Sequence, residues 1–344
     1  MAKSGGGRKR PTLEMVAQRA GVGRGTVSRV INGSAQVSPR TREAVHTAIA
    51  ELGYSPNQAA RTLVTRRTDT IALVVSEPRD RLFDDPFFPD IIRGVSTVLH
   101  ERDLQLMLTT ARTEAEHKRV GDYLSGFHVD GALLVSLHGD NPLSARLFEA
   151  GLPVVHGGRP HSPDQPAPYC VDIDNIGGAR AATRRLLDQG RRRVATITGP
   201  QDMNAGVERL RGYREVMASA GIGVDERLVV QGDFSVDGGA EAMERLLDTG
   251  LEPDAVFVAS DMMALGGLRV LRSRGLSVPG DVALVGYDDS VMARHSDPPL
   301  TTVHQPSVKM GKEMARLLVD VAIPRAVDTE TVMLDTRLVV RESG

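Results

Sequence analysis

The chain has 344 residues, a formal net charge of −2 and one cysteine. That length holds a small module plus about two ordinary domains. A lone cysteine, Cys170, excludes an internal disulfide, and no apolar run approaches the roughly 20 residues that span a bilayer. The near-neutral total hides an asymmetry. Residues 1–70 hold 12 of the 42 Lys+Arg and 4 of the 44 Asp+Glu, a net +8, which leaves 30 against 40, a net −10, for the remainder. A basic module on an acidic body suggests that the N-terminal part alone meets phosphates.

Residues 1–10 read as a basic tail with Lys3, Arg8, Lys9 and Arg10 and no apolar signal core, so export is not expected and a cytoplasmic protein is. From Pro11 to Gly33 the spacing predicts two short helices around a glycine turn at Gly21. Thr12 caps the first, which turns Val16, Ala17 and Ala20 to one side. The second starts near Gly23 and points Val27, Val30 and Ile31 inward, leaving Arg24, Gly25, Thr26, Ser28 and Arg29 outward. Helix, glycine turn and a short helix with exposed Arg and Thr near its start is the pattern of a helix-turn-helix, whose second helix enters the DNA major groove. Gly21-Val-Gly-Arg-Gly25 is not a nucleotide loop, because no strand precedes it and the wider glycine spacing is absent.

Ser38-Pro39 starts a third helix that Gly53 ends, with Ala44, Val45, Ala48, Ile49 and Leu52 as its apolar stripe. A second Ser-Pro start at Ser55-Pro56 opens a segment too short to be a stable helix alone, so it folds only against a partner. This divides the N-terminal part into a tail (1–10), a headpiece (11–54) and a hinge helix with linker (55–69).

From residue 70 short apolar strands alternate with amphipathic helices. Strands are expected at 70–76, 104–109, 131–137 and 153–156, and in a second series at 193–198, 228–231, 255–259 and 282–287. That alternation indicates an α/β core of two parallel sheets covered on both faces. The core is expected to hold two subdomains, about 70–170 plus 305–330 and 171–304 plus 331–344. Ligands in such sheets bind beyond the carboxyl ends of the strands, where Ser76, Ser136, Gly199, Ser260 and Tyr287-Asp288 fall. The nine histidines show no ligand cluster, so neither a metal nor a cofactor is expected.

The motifs Val27-Ser-Arg-Val-Ile-Asn32, Gly53-Tyr-Ser-Pro-Asn57, Asp85-Pro-Phe-Phe88, Asp130-Gly-Ala-Leu-Leu134, Arg209-Leu-Arg-Gly-Tyr213, Val285-Gly-Tyr-Asp-Asp289 and Pro299-Leu-Thr-Thr-Val-His-Gln305 carry a resemblance over almost the whole chain. It resembles the LacI/GalR family of transcriptional regulators. The segment Glu77-Pro-Arg-Asp-Arg-Leu-Phe-Asp-Asp-Pro-Phe-Phe88, together with Gly157-Gly-Arg159, is similar to that of actinobacterial regulators of oligosaccharide uptake, including the cellobiose type. The resemblance implies a helix-turn-helix headpiece, a hinge helix and a core like that of periplasmic sugar-binding proteins. It also implies a homodimer on a near-palindromic operator, with a small effector between the core halves that changes operator affinity. No heptad extension follows Arg341, which leans toward a dimer over a tetramer.

Carried over residue by residue, the resemblance implies base reading by Arg24, Gly25 and Arg29, with Thr26 and Ser28 nearer phosphates. An arginine fork matches the O6 and N7 acceptors of guanine. Leu63 would wedge between base pairs in the minor groove, with the small Asn57, Ala59 and Ala60 allowing close approach. Thr12, Asn32 and Tyr54 complete the set expected to touch DNA. For the effector, Arg209 and Asp288 would grip hydroxyl groups, Phe87, Phe88 and Phe234 would supply apolar contacts, and Ser136, Ser260 and Asp261 hydrogen bonds. Met203 stands where purine-responsive members carry an arginine, which argues for a sugar over a purine. A nucleoside-like effector, a solute-binding protein without gene regulation and an α/β enzyme stay open as alternatives. The last has carboxylates at a cleft but no nucleophile–base spacing.

Overall fold

A computed structural model of the chain describes residues 11–31, 34, 36–54, 67–139, 141–162, 165 and 167–344. It comprises two compact units, 1–68 and 69–344.

The first unit is a three-helix module. Helix α1 (Leu13–Ala20) begins where the Thr12 hydroxyl accepts the Met15 N–H at 3.4 Å and stops at Gly21, whose φ of 67° is left-handed. Helix α2 is Arg24–Ile31, and α3 (Pro39–Leu52) is capped by Ser38, which accepts the Thr41 N–H at 3.3 Å. Val16, Ala17, Val27, Val30, Val45 and Ala48 form its core. The basic tail, Asn32 and the expected hinge helix with Asn57, Ala59, Ala60 and Leu63 lie outside the described residues.

The second unit holds two six-stranded sheets. In chain order the strands are β1 (Thr70–Val75), β2 (Gln105–Thr110), β3 (Gly131–Val135), β4 (Val154–Gly157), β5 (Tyr169–Ile173), β6 (Val194–Thr198), β7 (Val229–Gln231), β8 (Ala255–Val258), β9 (Ala283–Asp288), β10 (Thr301–His304), β11 (Glu330–Leu334) and β12 (Arg337–Val339). The helices are α4 (Arg79–Asp84), α5 (Phe87–Glu101), α6 (Glu114–Tyr123), α7 (Pro142–Glu149), α8 (Asn175–Asp188), α9 (Asn204–Ser219), α10 (Val236–Asp248), α11 (Asp261–Ser273), α12 (Val291–His295) and α13 (Ser307–Arg316). The sheet orders are β11-β5-β4-β3-β1-β2 and β12-β10-β9-β8-β6-β7, and among the described residues only β10–β12 pairs antiparallel. The central strands β3, β6 and β8 are buried at every residue, as expected when helices cover both faces.

Four strands, β5, β10, β11 and β12, fall outside the sequence expectation. β5 and β10 carry Asp172, Thr301 and Thr302 into the interior, β11 is a largely exposed edge strand, and β12 is an edge strand of three residues, too short to stand out in the sequence. The subdomain boundaries shift accordingly. β5 pairs with β11 from Tyr169↔Glu330 to Ile173↔Leu334, which keeps both strands whole in the first sheet. The chain therefore crosses between lobes at 174, at 305–306 and at 335–336. The Asp174 N–H bonds Leu334 O at 3.0 Å and the Thr336 hydroxyl bonds Asp174 O at 3.1 Å, tying the first and third crossings together.

Helices α5 and α13 cover the first sheet with their backbones in contact. A Cβ at Gly94 would lie 2.2 Å from Val308 O, and one at Gly311 2.3 Å from Ile91 O. Gly94→Ala is expected to lower stability by about 1–3 kcal/mol through overpacking. Gly223→Ala, with nothing within 4 Å, is expected to stay within about 0.5 kcal/mol. Chemical denaturation of both variants checks this, and equal midpoints would contradict the close crossing.

Candidate functional site

The carboxyl ends of the strands in both sheets of the second unit converge on one cleft. It holds two adjoining cavities, one of about 100 Å³ and one of about 600 Å³, with Arg81, Asp85 and Phe234 lining both.

Arg209, on α9 and 5% exposed, lines the smaller cavity. Its Nε donates to Asn175 Oδ1 at 2.9 Å, Nη1 to Ala259 O at 2.7 Å and Nη2 to Gln305 Oε1 at 3.0 Å. The guanidinium also lies 3.6 Å from the centroid of the Tyr287 ring. These contacts fix its plane before any ligand arrives. Asp288 closes β9 with Oδ1 3.7 Å from Arg209 Nη1, an ion-pair separation too long for a hydrogen bond. Burial raises the Asp288 pKa well above the usual carboxylate range, against the pull of Arg209 and with the push of Asp261 and Asp85.

Ser136, Phe234 and Asp288 all line this cavity, and all three adopt left-handed backbone, with φ of 61°, 69° and 120°. Such conformations cost non-glycine residues on the order of 1–3 kcal/mol each and cluster at functional sites. Phe87 and Ser260 line the cavity too, although the Ser260 hydroxyl also caps α11 by accepting the Met263 N–H at 3.2 Å.

Two expected effector contacts are corrected. Phe88 is 1% exposed and packs in the core, presenting its ring edge-on to Phe87 at 5.2 Å. Consecutive helical residues point about 100° apart, so only one of the two rings faces the cleft. Asp261 is fully buried behind Asp288. It accepts the Thr302 hydroxyl at 2.6 Å and the Ser290 N–H at 2.7 Å, and burial pushes its pKa up to about 7. Its carboxylate is spent on pinning β10 and the turn after β9.

The sequence reading missed Asn175, Gln305, Arg81, Asp85 and His138. Asp85 and Gln305 sit inside motifs already singled out, whereas Asn175 and His138 carry no local signal. Two clasps cross the cleft. His138, in the loop after β3, bonds Glu77 Oε1 of its own lobe at 3.1 Å and Asp202 Oδ2 of the other at 3.0 Å. Arg159, in the loop after β4, donates 2.7 Å bonds to Asp172 of its own lobe and to Glu208 of the other.

In the first unit, Arg24, Gly25 and Arg29 are exposed along α2, as a groove-entering helix requires. Thr26 and Ser28 are half-buried instead of outward, because they flank Val27 on the packed side. Arg24 pairs with Glu14 at 3.1 Å, an exposed ion pair of little net strength. Tyr54 packs partly buried on the headpiece core, and the Thr12 hydroxyl serves the α1 cap. No metal-binding group of three His, Cys, Asp or Glu occurs among the described residues.

Residues 12–57 match the family model of bacterial regulatory proteins, lacI family, and residues 183–344 that of the periplasmic binding protein-like domain. The chain is 61% identical over 338 residues to the HTH-type transcriptional regulator CelR of Thermobifida fusca, covering 98% of this chain and 99% of CelR. The chain belongs to the LacI family. It is a DNA-binding transcriptional regulator and not an enzyme. Among solved structures it is similar to a CelR–cellobiose complex, with 58% identity, TM-score 0.78, and coverage of 97% of this chain and 100% of that one. It is also similar to a lac repressor dimer bound to operator and an anti-inducer, with 27% identity, TM-score 0.85, and coverage of 97% and 99%. Among the described residues of this LacI-family chain, no helix is long and apolar enough to cross a membrane.

The His138 clasp makes the stability of the second unit depend on pH. The hydrogen bond to Glu77 raises the His138 pKa against the opposing effect of burial, and Asp202 adds to the rise. A raised folded-state pKa contributes stability that is full below the ordinary histidine pKa and fades as pH climbs through the raised one. His138→Gln is therefore expected to cost most stability near pH 6 and least near pH 9, by thermal unfolding across that range. A cost that grows with pH would contradict the clasp.

Proposed function

We propose that this LacI-family protein is a repressor of carbohydrate uptake or catabolism genes, and that a small sugar held between the lobes switches its operator affinity. The observation that carries this reading is the Arg209–Asp288 pair. A pre-set guanidinium and a half-buried carboxyl group stand 3.7 Å apart without a hydrogen bond between them, beside the rings of Phe87 and Phe234. A donor and an acceptor side by side suit vicinal hydroxyl groups, and a flat ring suits the weakly polar face of a sugar. The relative solved with cellobiose supports the same class. Met203, on the cavity wall, offers a thioether where a purine-responsive member would offer a guanidinium.

The headpiece presents one reading helix, so two copies reading two half-sites of a near-palindromic operator account for sequence recognition. The lac repressor relative is solved as such a dimer on operator. Genomic DNA in a bacterium lies in the cytoplasm, which places the protein there. The sugar switches operator affinity only to the extent that it binds one arrangement of the lobes better than another.

Arg29→Ala is expected to weaken operator binding by about 1–3 kcal/mol and to relax preference at one position per half-site. Fluorescence anisotropy with operator and random DNA checks it. Equal loss on both would make Arg29 a phosphate contact only. Arg209→Ala and Asp288→Ala are expected to keep operator affinity near normal while losing about 1.5–3 kcal/mol or more of sugar binding, since each removes a charged partner from a buried site. Calorimetry with cellobiose reads the loss, and wild-type affinity in both variants would place the effector elsewhere.

A further inference from the structure

The helix-turn-helix carries one carboxylate where phosphates make a negative charge unfavourable. Between Pro11 and Gly33 the sequence holds Arg19, Arg24, Arg29 and a single acid, Glu14, while the other acids of the headpiece, Glu43 and Glu51, belong to α3. Glu14 lies in the first turn of α1, and Arg24 is the first residue of α2. Arg24 Nη1 lies 3.1 Å from Glu14 Oε1, and both side chains are exposed. Such a pair adds little stability, so what it supplies is direction: it ties the leading side chain of the reading helix to α1. The first residues of a recognition helix reach base edges while the preceding helix crosses the backbone, so the pair stands where both helices approach the duplex. Gly25, next along α2, has no side chain, and among the described residues a Cβ there would come no closer than 4.0 Å to Arg29 Nη2. The pair is not crowded from that side.

The chemistry of both partners fits base edges. With Nη1 beside Glu14, Nε and Nη2 form the other edge of the guanidinium, spaced to donate to N7 and O6 of guanine. The backbone N–H of Glu14, the Thr12 hydroxyl and Arg24 hold the Glu14 carboxyl below the usual range. It is therefore ionised at neutral pH and can only accept hydrogen bonds. In the major groove guanine shows acceptors at N7 and O6, and thymine shows one at O4, which repel a carboxylate. Adenine sets an N7 acceptor beside its N6 donor, whereas cytosine shows the N4 donor alone. A carboxylate joined to an arginine favours cytosine.

We propose that Glu14 and Arg24 read DNA as one unit: Arg24 takes O6 and N7 of a guanine, and Glu14 accepts from the N4 amino group of a cytosine in the adjacent base pair. Glu14 is then a specificity-determining residue outside the recognition helix. Against other bases its charge stays beside acceptors and phosphates, which lowers binding to random DNA and raises the contrast with the operator. The proposal rests on α2 as the reading helix and adds α1 to the readout.

The test selects sites from a randomised palindromic duplex library with the full chain as wild type, Glu14→Gln, Glu14→Ala and Arg24→Ala. Anisotropy then reads every base substitution in the selected wild-type site. Glutamine keeps the shape of Glu14 but offers the amide that pairs with adenine N6 and N7. Glu14→Gln is therefore expected to move the preference at one position per half-site from cytosine to adenine, changing that ratio by about tenfold or more. Glu14→Ala is expected to level that position to within about twofold, to keep the neighbouring guanine preference and to bind random DNA more tightly. Arg24→Ala is expected to lose the guanine preference and to weaken the cytosine preference with it, because the carboxylate loses its anchor. A Glu14→Gln protein with wild-type base preferences and tighter binding to every duplex would make Glu14 a repulsive charge alone. Equal weakening on every duplex would make it a part of the α1 cap alone. Either result overturns the paired readout and leaves α2 as the reading helix. A wild-type chain that selects no sequence overturns both.

Discussion

The burial of one guanidinium organises the second unit. Arg209 is almost wholly buried, so its N–H groups need protein acceptors, and the three it finds come from different parts of the chain. Asn175 follows the first crossing between lobes, Gln305 sits at the second, and Ala259 follows β8. The side chain that faces the cavity is thus bonded to two of the three segments on which the lobes turn. Under the proposed reading, a ligand held by Arg209 and Asp288 would act on the crossings through single hydrogen bonds. No long chain of intermediates is needed.

The clasps at the cleft mouth set how firmly the lobes stay together. His138 and Arg159 each join carboxylates from both lobes, but both cationic side chains are about a third to a half exposed, so solvent screens them. A closure built of a few modest ion pairs is reversible, which a switch requires. The strained backbone at Ser136, Phe234 and Asp288 adds to this: it holds groups aimed into the cleft, supported by the dense sheets behind them.

The headpiece was legible in the sequence because its signals are local. Thr12 and Ser38 cap, Gly21 and Gly53 stop, and valines at helical spacing make the core. The buried strands β1, β3, β6 and β8 were legible as short apolar runs. β5 and β10 were not, because they carry polar side chains into the interior for partners far away in sequence. The same limit governs the cleft. Asp261 and Asp288 both stand at strand ends, and only packing distinguishes the one that pins Thr302 from the one that faces the cavity. Arg81 lies in Glu77-Pro-Arg-Asp-Arg-Leu-Phe-Asp-Asp85, a stretch whose sequence carried a family resemblance but not the position that α4 gives Arg81 in the lining of the cleft.

The central claim is that one carbohydrate cleft controls operator occupancy. The most direct measurement follows operator binding by anisotropy and cleft occupancy by calorimetry in parallel, across one cellobiose titration of the full chain. The account predicts that operator affinity changes over the same sugar concentrations that fill the cleft, and that operator in turn shifts sugar affinity by the same factor. A cleft that saturates while operator affinity stays constant would contradict it.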